Sequence, residues 1–343
     1  MKIIHILNSN SYSGAENVVI TIINKMKSKH DIIYVSPEGS IRQYLEKNDI
    51  RYEPIKKISV KEIKRIIRKY KPDIIHAHDF TASITSSICG KNVKIISHLH
   101  SNPTWIKSIN LKSILYLIST IKYNKILLVS KSILNEYIFK KYIQKKSLIV
   151  GNPIDINKII EQANSKEIDE YYDLAFMGRL TELKNPEKFI EIVNILKRKL
   201  NIKAVMIGTG PMKEKYIDLI KKYNLTNTIV LKGFMENPYN ILKNCKILCM
   251  TSRYEGYGLV AVEALALGKP VVASKVGGLP DIIDEKCGKL SNNIEEMITE
   301  IEKLLINTNY YKNKSKYAII RANEINNIDK YIKNLNEIYS SYL

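Results

Sequence analysis

Short apolar runs recur along the chain and alternate with longer stretches in which apolar residues return about every three or four positions. Ile3 to Leu7, Ile32 to Val35, Ile74 to His76, Lys94 to Ser97 and Lys125 to Val129 read as buried strands, each followed by a helical stretch. A second set lies near Leu174 to Met177, Ala204 to Ile207, Thr228 to Leu231, Ile247 to Met250 and Val271 to Ala273. Continuous apolar strands alternating with helices predict α/β architecture, a mostly parallel sheet covered on both faces, formed twice. The changeover falls around Gly151 to Asn164, and the tail from about Asn327 to Tyr342 has helical periodicity.

The apolar pattern also limits what the termini can be. Lys2 to Leu7 is too short an apolar core for a signal peptide and runs straight into a polar loop, which makes it the expected first strand. No stretch approaches the roughly 18 uninterrupted apolar residues of a spanning helix. Cys89, Cys245, Cys249 and Cys287 form no close pair, so free thiols in a reducing, cytoplasmic setting are expected and a zinc site is not.

A length of 343 residues suits about two domains, and 45% hydrophobic residues suffices for two cores. The formal charge of +20 is unevenly placed: residues 1–155 hold 26 Lys+Arg against 11 Asp+Glu, net +15, and the remainder is net +5. Nucleic acid, an anionic membrane surface or an acidic acceptor would each suit a basic half. Nucleic acid is the poorest of these, because the charge lacks interleaved aromatic platforms and no recognised binding motif is present. Lys56 to Lys71 interleaves lysines and arginines with Ile58, Ile63, Ile66 and Ile67, an amphipathic pattern that suits either a lipid surface or an ordinary helix packed on a sheet. In the Trp105 to Lys125 segment, Trp beside lysines favours an interface with lipid.

Two stretches carry candidate chemistry. Ser252-Arg253-Tyr254-Glu255-Gly256-Tyr257-Gly258-Leu259 runs into an apolar helix that contains Glu263. Gly256 and Gly258 permit close backbone approach, and the helix start beyond them offers unpaired N–H groups to an anion. Glu255 and Glu263 are at most about 12 Å apart along a helix, a span over which two carboxylates could accept hydroxyls from the two ends of a nucleotide sugar. Alone, they could equally be a loop acid and a helix-surface charge. The second stretch, Phe176-Met177-Gly178-Arg179-Leu180-Thr181-Glu182-Leu183-Lys184-Asn185-Pro186, places two cations after a strand and before a helix whose first turn takes the proline. Arg offers a bidentate fork to phosphate and Lys a compact point charge; two exposed surface cations would look the same in isolation.

In chain order the sequence also contains Ser13-Gly14-Ala15-Glu16, Pro72-Asp73-Ile74-Ile75-His76-Ala77-His78, His98-Leu99-His100, Gly151-Asn152-Pro153-Ile154-Asp155, Ile207-Gly208-Thr209-Gly210-Pro211, Leu231-Lys232-Gly233-Phe234, and Gly268-Lys269-Pro270 through Gly277-Gly278-Leu279-Pro280-Asp281. Each is weak singly. Together and in this order, over nearly the whole chain, they resemble the retaining glycosyltransferases of family four. Two departures stand out: a single glycine, Gly14, follows Ser13 where many members have two, and Asp281 stands where Glu is usual.

The resemblance implies the GT-B fold, two Rossmann-like domains facing across a cleft. It assigns residues 1–160 to an acceptor-side domain, 161–326 to a nucleotide-sugar-binding domain, and 327–343 to a helix returning to the first. It further implies a metal-independent hexosyltransferase with no cofactor beyond its nucleotide-sugar donor, in keeping with the absence of an Asp-x-Asp triad. Arg179 and Lys184 would neutralise the donor diphosphate, helped by backbone N–H groups from Gly256, Tyr257, Gly258 and Leu259, near Gly178, and near Gly14. Glu255 would contact the donor sugar, Glu263 the ribose, and Gly233 and Phe234 the base. His100 would stand near the reacting carbon, with His98 as understudy and His76 and His78 making structural contacts. The implied activity is transfer from a nucleotide sugar, UDP-linked for preference, to a glycan or lipid-linked acceptor at the inner face of a membrane. A soluble acceptor, a sugar-nucleotide epimerase, a phosphorylase and a non-enzymatic basic protein are the rivals.

Overall fold

The computed structural model of the protein describes residues 1–90 and 92–342. The chain divides into two compact units, Met1–Ile154 together with Asn327–Leu343, and Asp155–Asn326. The division falls at Ile154 and not after residue 160, because Asp155 caps helix Ile156–Asn164 through Lys158 N, and that helix packs on Tyr239–Lys243 and Leu259–Ala266 of the second unit.

The first unit holds a seven-stranded sheet of β1 (Lys2–Ile6), β2 (Asp31–Pro37), β3 (Tyr52–Ile55), β4 (Ile74–Ala77), β5 (Lys94–Leu99), β6 (Lys125–Leu128) and β7 (Ser147–Ile149). Their spatial order is β3-β2-β1-β4-β5-β6-β7, every pair parallel. The central strands are Ile-rich and enclosed, with Ile3, Ile4, Ile33, Ile75, Ile95 and Ile126 at 0% exposure, as expected of a sheet with helices on both faces. Asp79 secures the point where the strand order reverses: one carboxylate oxygen caps helix Phe80–Cys89 by accepting from Ala82 N, and the other accepts from Asn8 N beyond β1. The C-terminal helix Ile328–Ser340 belongs to this unit. Its buried Tyr339 hydroxyl meets His76 Nδ1 at 2.6 Å, and Tyr342 donates to Asn124 O.

The second unit repeats the arrangement with β8 (Tyr172–Met177), β9 (Ala204–Ile207), β10 (Ile229–Gly233), β11 (Cys245–Met250), β12 (Val271–Ala273) and β13 (Gly288–Leu290), in the order β10-β9-β8-β11-β12-β13. Its core packs Phe189, Ile192, Val193 and Leu196 of helix Pro186–Lys197 against Leu174, Met206 and Ile247 of the sheet. All four cysteines are free, three of them buried.

Two amphipathic stretches behave differently. Helix Val60–Tyr70 buries Ile63 and Ile66 in the first core, and Arg65 and Lys69 close on Glu53 of β3, so this is an ordinary packed helix with a charged outer face. From Trp105 onward, by contrast, Ile109, Leu111, Ile118 and Ile121 are 70%, 72%, 57% and 75% exposed. The Trp105 ring packs edge-on against Phe80, 4.7 Å between centroids. Among the described residues no helix is long and apolar enough to cross a membrane.

Candidate functional site

In open parallel sheets ligands collect beyond the carboxyl ends of the strands, where the order reverses. In the second unit that point lies between β8 and β11. The loop leaving β8 carries Gly178, Arg179 and Lys184, and the loop leaving β11 carries Ser252, Glu255, Gly256 and Tyr257. The two loops are stitched together: Arg253 N donates to Leu183 O, and the Thr251 hydroxyl donates to Asn185 O at 2.8 Å. Across this seam Lys184 Nζ donates to Glu255 Oε1 at 2.5 Å, and the Ser252 hydroxyl donates to the same oxygen at 2.8 Å.

The carboxylate of Glu255 is therefore no solvated loop acid. Its side chain is 7% exposed and that of Lys184 29%. Arg179, by contrast, is exposed and makes no ion pair with an acid among the described residues. Of the two expected cations, Lys184 is committed to a carboxylate and Arg179 is not.

Backbone conformation sets the shape of the loop. Gly258 caps helix Leu259–Ala266 at φ +108°, a conformation unfavourable to any side chain, and so turns the helix start toward the loop. Gly277 has φ +54°, and a Cβ there would come within 1.7 Å of the Glu255 carbonyl oxygen, while Gly278 N donates to that same oxygen. The Gly277-Gly278 backbone thus braces the glutamate loop from behind. Tyr257 is buried and Leu259 opens the helix.

Glu263 lies on that helix and is 8% exposed, which removes the surface-charge alternative. Burial raises its carboxyl to about 7, and a hydrogen bond from Tyr239 opposes the rise. Gly233 ends β10 at φ +70°, and Phe234 follows it 57% exposed. Ser252 and Tyr239, the hydroxyl partners of the two glutamates, had no role assigned from the sequence, although Ser252 opens the glycine-turn stretch.

In the first unit Gly14 is the first residue of helix Gly14–Met26, and the Ser13 hydroxyl donates to the buried carboxylate of Glu16 in the same turn. In the same unit, five histidines gather on three neighbouring strands and their exits: His5 on β1, His76 on β4 with His78 just beyond it, and His98 on β5 with His100 just beyond it. His5 Nδ1 meets His78 Nε2 at 2.8 Å, His78 Nδ1 meets His100 Nε2 at 3.0 Å, and His76 Nε2 meets His98 Nδ1 at 3.2 Å. Burial holds His5 down to about 3 and His100 to about 4, so these rings are neutral near pH 7. Two triples, His5 with His76 and His78, and His78 with His98 and His100, bring one ring nitrogen each within 4.8 Å of the others, close enough for a shared cation. His100, the expected group near the reacting carbon, is the partly exposed member; His98 is fully buried. His5 was not singled out from the sequence, since its partnership with His76 depends on β1 lying beside β4.

Comparison with known proteins bears on both units. Residues 157–321 match the family model for glycosyl transferases group 1, and residues 12–158 match that for glycosyltransferase family 4. An uncharacterized glycosyltransferase of Methanocaldococcus jannaschii is 29% identical over 62% of this chain and 58% of its own length. The Escherichia coli O-antigen biosynthesis glycosyltransferase WclY is 24% identical over 84% of each chain. Among solved structures, Anabaena HepE in complex with UDP-glucose matches with a TM-score of 0.88 at 19% identity, covering 99% of this chain and 100% of the other, which shows a shared fold.

Proposed function

The chain belongs to the group 1 glycosyltransferases of family four, with the GT-B fold, and from that premise we propose that it transfers a hexose from a uridine diphosphate sugar to a glycan or lipid-linked acceptor, with retention of anomeric configuration and without a metal ion. The observation that carries this is the pairing of Lys184 with Glu255 at the strand-order reversal of the second sheet. A diphosphate placed there meets Arg179 directly and Lys184 through its exchange from Glu255, and fixed cations act most strongly where leaving-group charge grows. Glu255 takes the donor sugar hydroxyls, Glu263 the ribose, and Gly233 with Phe234 the base. The N–H groups at Gly256 to Leu259 add a helix start to the phosphate cradle.

Retention follows the family's chemistry: the leaving phosphate oxygen accepts the acceptor proton on the face from which it departs. The UDP preference draws on the bound donor of HepE, and the cell-surface glycan acceptor on the name of WclY. A panel of nucleotide sugars screened for slow hydrolysis tests the proposal without any acceptor. A uridine diphosphate hexose is expected to be cleaved, the released sugar appearing first with the donor's anomeric configuration by NMR. Inverted product, or cleavage of no donor, would remove the assignment.

The acceptor side is proposed to work at an anionic membrane face. Leu111, Ile118 and Ile121 are exposed beside the exposed Lys112 and Lys122, an apolar stripe with a cationic border, within the strongly basic half of the chain. Cosedimentation with phosphatidylglycerol vesicles is expected, falling several-fold in Leu111→Glu and Ile118→Glu and with added salt. Equal recovery with and without vesicles would point to a soluble acceptor instead.

A further inference from the structure

A neutral imidazole has one N–H and one lone pair, so a file of hydrogen-bonded histidines must run with a single direction. His5, His78 and His100 form such a file, joined Nδ1 to Nε2 at 2.8 Å and again Nδ1 to Nε2 at 3.0 Å, with successive rings nearly parallel at 18° and 24°. Only two arrangements exist. Either every Nδ1–H donates onward from His5 to His100, or every Nε2–H donates back from His100 to His5.

The ends of the file decide between them. His5 Nε2 is buried and has no partner among the described residues. In the backward arrangement this atom is an N–H left with nothing to bond, and in the forward one it is an unused lone pair, which buried proteins tolerate more readily. At the other end His100 Nδ1 and Asn152 Oδ1 are both buried and, among the described residues, neither has a hydrogen-bond partner, while the Asn152 side chain lies near enough to His100 to favour its protonated form. An amide oxygen that favours protonation is an acceptor facing a donor. The forward arrangement supplies that donor, the Nδ1–H of His100.

We propose that His5, His78 and Asn152 are positioning residues for His100, fixing it as the Nδ1–H tautomer with that proton turned to Asn152 and its Nε2 lone pair occupied by His78. The inference rests on the proposed placement of His100 near the reacting carbon for its meaning, though not for its test. Its consequence is chemical: with both ring nitrogens engaged, His100 has no lone pair to take a proton from an acceptor. It serves as a neutral, fixed ring edge beside the donor, which leaves proton removal to the departing phosphate.

Ring nitrogen-15 NMR on the full chain, prepared without an affinity tag and carrying its six histidines, reads the tautomers directly at pH 8. His5, His78 and His100 are expected to give the Nδ1–H pattern. Asn152→Asp offers an acceptor only, so it should leave His100 as Nδ1–H, whereas Asn152→Leu and His78→Phe should each produce a mixture of the two tautomers at His100. An Nε2–H His100 in the native protein, or a switch to Nε2–H in Asn152→Asp, overturns the proposal, as does an unmixed His100 in His78→Phe. Should His78→Phe fail to fold, the native protein and Asn152→Asp still decide the matter. Donor hydrolysis by the native protein is scored separately, so the tautomer assignment and the glycosyltransferase assignment can fail independently.

Discussion

Lys184→Ala is expected to lower turnover on the order of 10²-fold or more, the usual effect of removing a fixed charge from a developing anion. It is also expected to destabilise the protein, because Lys184 is the cation on the enclosed Glu255 carboxylate. Removing one member of a buried pair costs about 3–5 kcal/mol, and the partial exposure of the lysine reduces this to about 1–3 kcal/mol. The two effects separate in Lys184→Ala combined with Glu255→Gln. Neutralising the stranded carboxylate should recover most of the lost stability in urea denaturation, while turnover should stay low. Turnover close to that of the native protein in Lys184→Ala would take the lysine out of its assigned role. Full stability in the single variant would mean that the pair at 2.5 Å contributes little.

The same pair marks the limit of what the sequence disclosed. The strands at the centre of each sheet were legible because a strand covered on both faces is continuously apolar, as in Ile3 to Leu7 and Ile74 to His76. Three strands at or near the sheet margins were not: β3, with Glu53 and Pro54, β7 and β13 are short and only partly enclosed. Among site residues, the glycine turn and the two cations could be located by type and spacing, but their mutual contacts could not. Lys184 and Glu255 are 71 positions apart, and nothing local signals that one oxygen takes both the lysine and the Ser252 hydroxyl. The histidine file was invisible for a related reason. His76, His78, His98 and His100 belong to two recognisable strand ends, yet the order β1-β4-β5, which brings His5 to His78, is a property of the whole sheet. The contact of Trp105 with Phe80, 25 positions before it, was likewise not legible locally.

Glu263 gives the second large effect, through a proton. Its carboxyl is raised from 4.5 to about 7, chiefly by burial. The folded state therefore binds this proton more tightly than the unfolded chain does, and stability falls as pH rises. Below about 4.5 the group is protonated in both states and costs the fold nothing; the cost of holding it grows between about 4.5 and 7 and above that reaches about 3 kcal/mol. Glu263→Gln carries no such group. Relative to the native protein it is expected to gain up to about 3 kcal/mol at pH 8 and nothing near pH 4, measured by chemical denaturation at both values. The donor should act in the opposite sense. Ribose hydroxyls donating to this oxygen favour the ionised carboxylate, so nucleotide binding should expel the proton and strengthen as pH rises from 5 to 7. Calorimetry in buffers of different ionisation enthalpy reads the released proton directly, and Glu263→Ala should abolish it while weakening nucleotide affinity. Binding without proton release, and unchanged in the alanine variant, would place the ribose elsewhere and leave Glu263 as a buried acid held neutral by its surroundings.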